Sequence, residues 1–297
     1  MKRRVAIVYS GQTRTNALNS SYKKDNVILD ATNKYFLNDE FKSKYEYDVF
    51  ISTDGIDITK AKEFFGSNLK NINITKEDFY LNKIDTSNVK PYEYYYNRYQ
   101  EKTKDAKYNG QPVPNYIQNL HQYYRMYCGY NMLIQYQRAT STKYDYIIRI
   151  RPDSRIMRNI STLMNILDTT DAQVITEHDQ LTIFKYNLVD ILKLITCYGD
   201  YVDDKDLTKY KFMNASGNIG LRDFLAPERN YVNHIFHVIS KNNLEWNKSF
   251  IGILYPSYHL LYREDGSHAY SNYSDKSGLE WDPTQKSVIY IGREIAV

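Results

Sequence analysis

The sequence predicts an α/β protein with a mainly parallel central sheet flanked by helices, and three observations indicate this. Segments 4–9, 47–52 and 146–150 are apolar and rich in β-branched residues, as expected of strands covered on both faces. Each segment leads into a proline or a polar loop with a glycine. Helical spacing of apolar residues over 115–140 precedes the third segment. Because no linker or change of composition interrupts this order, one domain over residues 1–297 is expected.

The individual elements follow from apolar spacing and from helix-start signals. Ile117, Leu120 and Tyr124 lie on one stripe of the long central helix. Pro227 and Glu228 suit a first helical turn, because proline needs no N–H partner there and an acid faces the positive end of the helix dipole. Strands are expected at 4–9, 47–52, 69–74, 146–150, 171–176 and 250–262, and helices within 22–41, over 115–140, over 187–198 and from residue 227 onward.

Composition and charge exclude several classes of protein. The formal charge of +4 is spread along the chain without a basic tail, so we expect no nucleic-acid partner. No stretch approaches the roughly 20 apolar residues of a membrane span. The N-terminal segment lacks a signal peptide's apolar region, so a cytoplasmic protein is expected. Cys128 and Cys197 are too few for a disulfide framework or a cysteine zinc site. The tyrosine-rich segment 92–99 is interpreted as a partly exposed packing patch; the alternative is a binding platform for sugar faces or bases.

The segment after the third central strand predicts a polar site. Pro152 lacks the N–H needed to continue a ladder, so the chain turns there and presents Asp153 at the carboxyl end of the strand. In open α/β sheets, ligands bind at that edge. The alternative is a surface ion-pair cluster formed by Arg149, Arg151, Asp153 and Arg155.

The loop after the first strand, Ser10 to Arg14, is a candidate for the same ligand. Gly11 permits a close approach of the backbone, and Ser10, Gln12, Thr13 and Arg14 can contact ribose, base or phosphate. The alternative is an ordinary turn. Asp54, after the second strand, is a further candidate for nucleoside contact, although an Asp-Gly turn has the same sequence.

Four segments in a fixed order carry a resemblance to a known family. AIVYSGQTRT, YDVFIST, YDYIIRIRPDSR and EHDQLTIFKYNLVDIL resemble nucleotide-sugar glycosyltransferases of the GT-A type from large DNA viruses and bacterial surface-polysaccharide clusters. The resemblance implies a single GT-A-like (Rossmann-like) domain, with donor binding in about 1–155 and acceptor binding and catalysis in about 156–297. It implies transfer of a hexosyl or pentosyl group from a UDP- or GDP-sugar to a glycan or glycoprotein hydroxyl, in the host cytoplasm if the protein is viral.

The resemblance also implies a divalent metal, Mn²⁺ or Mg²⁺, between the donor diphosphate and the protein. Asp153 is the first candidate ligand, as a hard oxygen donor, and His268 is the second. The sequence departs from the usual Asp-x-Asp pattern, because Ser154 and Arg155 follow Asp153. The alternative is that Arg151 or Arg155 neutralises the diphosphate by direct bidentate contact.

Transfer requires a general base for the acceptor hydroxyl. Asp179 is the first candidate by its place in the chain and Glu177 the second; the alternative is that Asp179 only positions the donor sugar. A nucleotidyltransferase is a rival enzyme class, but the phosphate-binding pattern G-x-x-x-x-G-K-[ST] is absent from the sequence. A carbohydrate-binding protein that has lost turnover is the non-enzyme rival. The sugar, the base, the acceptor, the stereochemical outcome and the oligomeric state stay open.

Overall fold

A nine-stranded mixed sheet forms the centre of the chain, in the strand order β13-β11-β9-β10-β7-β1-β2-β3-β4. The computed structural model describes residues 2–19, 21–22, 26–105, 107–108, 111–112, 117–177, 179–198, 227–253, 259–261 and 289–291. The strands are β1 Arg3–Ser10, β2 Tyr45–Thr53, β3 Leu69–Ile74, β4 Phe79–Tyr80, β5 Lys107–Tyr108, β6 Gln111–Pro112, β7 Tyr146–Ile150, β8 Ser154–Ile156, β9 Val174–Glu177, β10 Leu181–Lys185, β11 Phe250–Ile253, β12 His259–Leu261 and β13 Ile289–Ile291.

Helices cover the sheet on both faces. The helices are α1 Val27–Tyr35, α2 Asp39–Lys44, α3 Ile58–Phe65, α4 Tyr92–Thr103, α5 Ile117–Thr140, α6 Ile160–Thr169, α7 Pro227–Lys241 and α8 Trp246–Ser249, with 3₁₀ segments at Gly66–Asn68 and Tyr186–Thr196. Side chains from α1, α2, α3 and α6 join one apolar core, and side chains from α4, α5, α7 and the longer 3₁₀ segment join the other. None of the described helices is long and apolar enough to cross a membrane.

The direction of the strands places the loops that follow the parallel strands at one edge of the sheet. β1, β2, β3, β7, β9 and β11 run the same way, whereas β4, β10 and β13 run antiparallel to their neighbours. β1 lies between β2 and β7, so the order in which successive strands are added to the sheet reverses at β1. A crevice for a ligand is expected at such a reversal, here at the carboxyl ends of β1 and β7. The predicted fold class, a single Rossmann-like α/β domain with a mainly parallel sheet, is confirmed. The division into donor and acceptor parts at about residue 155 stays a prediction.

Strand β1 explains why the sheet can be covered on both faces. Val5 and Ile7 belong to one core and Ala6 and Val8 to the other, and all four are fully buried. A strand whose alternating side chains all enter apolar cores needs a continuous apolar run rather than a polar and apolar alternation. This is the pattern that predicts β1, β2 and β7 from the sequence.

The expected single strand over 250–262 is wrong. Phe250–Ile253 forms β11 in the central sheet, while His259–Leu261 forms β12 and pairs with β8 in a separate two-stranded sheet. Pro256 lies between the two segments and has no N–H to donate to a ladder, which is a physical reason for separate strands. The strand expected at 171–176 begins later, at Val174.

The tyrosine-rich segment lies on helix α4, which the weak apolar periodicity of this region did not predict. Tyr95 and Tyr99 are buried against α5 and the second core, while Tyr94 is 46% exposed. The interpretation of this segment as a partly exposed packing patch is therefore confirmed.

We predict that Gly129→Ala destabilises the protein. A Cβ on Gly129 of α5 would lie 2.6 Å from Cγ1 of Val8, a fully buried and stiff side chain. Overpacking costs about 1–3 kcal/mol, against a gain in helix propensity of at most about 1 kcal/mol. Urea unfolding is expected to show a lower free energy of unfolding for Gly129→Ala than for the wild-type protein. Gly55→Ala, where the added methyl meets nothing within 4 Å, serves as the control; equal stability of the two variants would contradict close packing of α5 on β1.

We predict that His234 makes the protein less stable in acid. His234 is buried on α7, with Nε2 3.0 Å from the carbonyl oxygen of Asp190. Burial lowers the pKa of His234 from 6.5 to about 4. The unfolded chain therefore binds the extra proton first, and stability falls as pH drops from about 6.5 to about 4, by on the order of 3 kcal/mol. Unfolding titrations at several pH values should show this slope, and His234→Gln should reduce it; an unchanged slope in the variant would contradict the assignment.

Candidate active site at the carboxyl edge of the sheet

The loop after β1 and the loop after β7 meet at the crevice. An ideal Cβ on Gly11 would lie 3.2 Å from Cδ of Pro152 and 3.5 Å from Cγ of Arg151, and the φ of Gly11 is +147°. Both the dihedral and the contact require glycine at this position. Asn16 fixes the same junction, because its Nδ2 donates to the carbonyl oxygen of Pro152 at 2.8 Å. The structure therefore brings the two predicted loops together.

Arg149 is fully buried, which contradicts the alternative of a surface ion-pair cluster. Its Nε donates to Oγ of Ser10 at 3.0 Å, and its guanidinium lies 5.6 Å from the centre of the Tyr231 ring. Burial lowers the pKa of Arg149. Nη1 of Arg149 has no hydrogen-bond partner among the described residues. Ser10, which was predicted to contact the ligand, is itself buried and bonded to this arginine.

A row of polar side chains crosses the sheet beneath the crevice. Strand pairing places Ser52 opposite Ser10 and Thr182 opposite both Arg149 and Thr176. The hydroxyls of Thr176 and Thr182 are 2.9 Å apart, and the Tyr231 hydroxyl donates to Thr182 at 2.9 Å. All of these groups are buried on the face that α5 and α7 cover. Polar positions inside otherwise apolar strands thus mark the floor of the site.

Arg151 and Asp153 form a forked ion pair. Nε and Nη2 of Arg151 lie 3.0 and 2.8 Å from Oδ1 and Oδ2 of Asp153, which is 2% exposed. Arg14, whose side chain is 53% exposed, places Nη2 3.4 Å from Oδ2 of the same carboxylate. Two guanidinium groups therefore share one carboxylate, and the first loop contributes the solvent-facing one.

The donor set around Asp153 does not fit a divalent metal. Both carboxylate oxygens contact Arg151, and a dication beside two guanidinium groups would be repelled. Within the described part of the chain, no group of three His, Cys, Asp or Glu side chains could hold a metal ion. His268, the second predicted ligand, lies outside the described residues, so metal binding through His268 stays a prediction.

Gln122 of α5 connects Arg151 to Asp179. The Gln122 Oε1 accepts from Nη1 of Arg151 at 3.3 Å, and its Nε2 donates to Oδ2 of Asp179 at 2.6 Å. The turn between β9 and β10 is fixed by a further bond, because the backbone N–H of Arg151 donates to the carbonyl oxygen of Gln180 at 3.0 Å. Asp179 is 2% exposed, and its Oδ1 has no hydrogen-bond partner among the described residues.

Glu177 and Asp179 occupy different environments although Glu177 ends β9 and Asp179 follows it closely. Thr176 points to the face of α5, so alternation along the strand directs Glu177 to the opposite face, where Ile175 joins the other core. Glu177 is 1% exposed. Of the two predicted bases, only Asp179 contacts Gln122 and through it Arg151.

Asp54 holds the first loop in place. Its Oδ1 accepts from the backbone N–H of Thr13 at 3.4 Å and from the Thr53 hydroxyl at 3.2 Å. The Thr13 hydroxyl donates to the carbonyl oxygen of Gly55. Nη2 of Arg125 lies 3.9 Å from Oδ2 of Asp54. These contacts give Asp54 a role in the turn, while its predicted nucleoside contact stays a prediction.

The remaining predicted residues lie around this centre. Gln12 is half-buried in the first loop, and Arg155 is half-buried in β8, where it pairs with Leu260 outside the central sheet. The sequence motifs did not indicate Gln122 and Arg125. They are spaced three residues apart among the apolar positions of α5, and polar residues at that spacing indicate a polar patch on the helix.

Comparisons with known proteins give a weak likeness to a solved structure. No protein-family model and no curated protein matches the chain. The chain is similar to a cytidylyltransferase from Leptospira borgpetersenii serovar Hardjo-bovis (strain JB197), with 14% identity, 81% of this chain and 95% of that chain covered, and a TM-score of 0.33. At this TM-score the likeness does not bear on function.

We predict that Asp153→Asn strengthens the binding of inorganic pyrophosphate in the absence of metal. The variant removes the charge that Arg14 and Arg151 share, so the affinity should rise by roughly three- to tenfold. Calorimetric titration with and without Mn²⁺ measures this, with Asp190→Asn, a carboxylate paired with lysines elsewhere, as control. Binding that requires Mn²⁺ and is lost in Asp153→Asn would contradict the arginine site and support a metal ligand.

Proposed function

We propose that this protein is a glycosyltransferase that moves a sugar from a nucleotide-diphosphate sugar to a hydroxyl group of a glycan or glycoprotein acceptor. One observation supports this above the others: Gln122 contacts both Arg151 and Asp179. A guanidinium group suited to a leaving diphosphate and a buried carboxylate suited to an incoming hydroxyl are thereby held side by side.

In this proposal, Arg14 and Arg151 bind the diphosphate. Negative charge grows on the diphosphate as its bond to the sugar breaks, and preorganised cations stabilise that charge. A guanidinium group can contact two phosphate oxygens at once. Arg151 already makes such a forked contact with Asp153, and the diphosphate would replace the carboxylate. Gly11 leaves room for the approach, since it has no side chain beside Arg151.

Asp179 is the proposed general base. Its Oδ2 is held by Gln122, while its Oδ1 is the oxygen that would accept the proton of the acceptor hydroxyl. In an inverting transfer, the hydroxyl oxygen bonds to the anomeric carbon as the bond to the diphosphate breaks, and the proton moves to Oδ1. Asp179 lies close enough to Arg149 for the two charges to interact, and this interaction opposes the lowering of the Arg149 pKa by burial.

The second candidate is a carbohydrate- or nucleotide-sugar-binding protein without turnover. The pairing of Asp153 with Arg151 and the presence of Arg155 in place of a second acid favour it. The two candidates differ in one product, because a binding protein releases no nucleotide diphosphate.

A screen of nucleotide sugars tests the proposed function. Any donor that binds only the folded protein raises the melting temperature, so UDP- and GDP-sugars are compared by thermal shift with and without Mn²⁺. Donors that shift the melting temperature are then incubated with glycan acceptors, and the release of nucleotide diphosphate is measured. Binding without release would support the second candidate.

We predict that Asp179→Asn strongly slows transfer but keeps donor binding. The amide cannot accept the proton, so the transfer rate should fall by about 10² to 10⁴, whereas the donor dissociation constant should change by less than about twofold because the base acts in the transition state. Kinetics and calorimetry measure the two quantities. A strongly weakened donor affinity would indicate that Asp179 positions the sugar, and loss of transfer in Glu177→Gln alone would assign the base to Glu177.

A further inference from the structure

The geometry points to Gln122 as a positioning residue of the transfer reaction. We propose that its side-chain amide holds the Asp179 carboxylate and the Arg151 guanidinium together and leaves one buried oxygen of Asp179 to accept a hydrogen bond from the acceptor. The inference rests on the proposed function and assigns a role to a residue on α5 that neither the loop motifs nor the resemblance indicates.

The amide is suited to both contacts because its two ends have opposite hydrogen-bonding character. Oε1 accepts from Nη1 of Arg151, and Nε2 donates to Oδ2 of Asp179. A flipped amide would set its N–H groups against the guanidinium and its oxygen against the carboxylate, so the two partners fix its orientation. Leucine could make neither contact, and glutamate only the contact with Arg151.

Gln122 determines which oxygen of Asp179 remains available. Its Nε2 lies 2.6 Å from Oδ2 and 3.3 Å from the carbonyl oxygen of the same residue, so one donor holds both the side chain and the backbone of Asp179. Oδ1 is buried and has no hydrogen-bond partner among the described residues. A buried polar atom normally has a partner, and the acceptor hydroxyl is the partner that the proposed function supplies.

Gln122 also keeps Arg151 in place when Asp153 is displaced. Arg151 contacts Asp153 through Nε and Nη2 but contacts Gln122 through Nη1. A diphosphate that takes over the forked contact leaves the bond to Gln122 intact. Arg151 therefore keeps its bond to Gln122 while the partner in the forked contact changes from a carboxylate to a phosphate.

Two substitutions separate the contacts. Gln122→Leu removes both, so kcat should fall about ten- to hundredfold, and the acid limb of the rate profile should move to higher pH because the ionised Asp179 loses a hydrogen bond. Gln122→Glu keeps an acceptor for Arg151 but places a like charge beside Asp179. Its kcat should fall similarly, and KM for the donor should rise by roughly three- to tenfold, because the added carboxylate competes with the diphosphate for Arg151. Melting temperatures close to the wild-type value in both variants, together with the shifted pH profile of Gln122→Leu, distinguish positioning from loss of folding.

Gln137→Leu is the matched control on the same helix. Gln137 bonds to the Tyr186 hydroxyl and to the carbonyl oxygen of Thr142, so its loss should lower the melting temperature without moving the pH profile. The inference is overturned if Gln122→Leu keeps the wild-type kcat and pH profile, or if it changes them only as much as Gln137→Leu does. If the wild-type protein releases no nucleotide diphosphate from any donor in the same assay, the proposed function itself fails, and the inference fails with it.

Discussion

The hydrogen bonds of the Arg151 guanidinium, to Asp153 and to Gln122, are the interactions on which the rest of the site depends. A carboxylate that is 2% exposed requires a paired cation and hydrogen bonds. Arg151 meets that need with two of its nitrogens and uses a third to contact Gln122. Its backbone N–H holds the turn that carries Asp179. One residue therefore links the loop after β7, helix α5 and the turn between β9 and β10.

The buried arginine of β7 shows that this edge is not organised for stability alone. Burying Arg149 costs free energy, because a cation loses its hydration, and burial lowers its pKa. Contacts with Ser10 and the Tyr231 ring offset part of that cost. Apolar residues of similar volume are often as stable at such positions. Costly polar groups gathered at one edge of a sheet are the pattern expected of a functional site.

Much of the central sheet follows from the sequence because its signals are local. The apolar runs of β1, β2 and β7 are buried on both faces, and Pro152 ends the ladder where predicted. β10 was missed, although only three residues separate it from β9, and so short a link favours an antiparallel pair. The spacing of Gln122 and Arg125 could have indicated a polar patch, but not its partners, because the side of α5 that faces the crevice depends on how the helix packs, including the contact between Gly129 and Val8. The burial of Arg149 excludes the alternative of a surface ion pair. Burial depends on tertiary packing, which local sequence signals do not show.

The central claim is that Arg151 binds the diphosphate of the donor, and titration of inorganic pyrophosphate against Arg151→Gln tests it most directly. Calorimetry should show that the variant binds pyrophosphate at least about tenfold more weakly than the wild-type protein, the scale of one charge-assisted pair of hydrogen bonds. Arg138→Gln removes the same charge from an exposed position at the far end of α5 and should bind as the wild-type protein does. Equal affinities of the wild-type protein and Arg151→Gln would contradict the account.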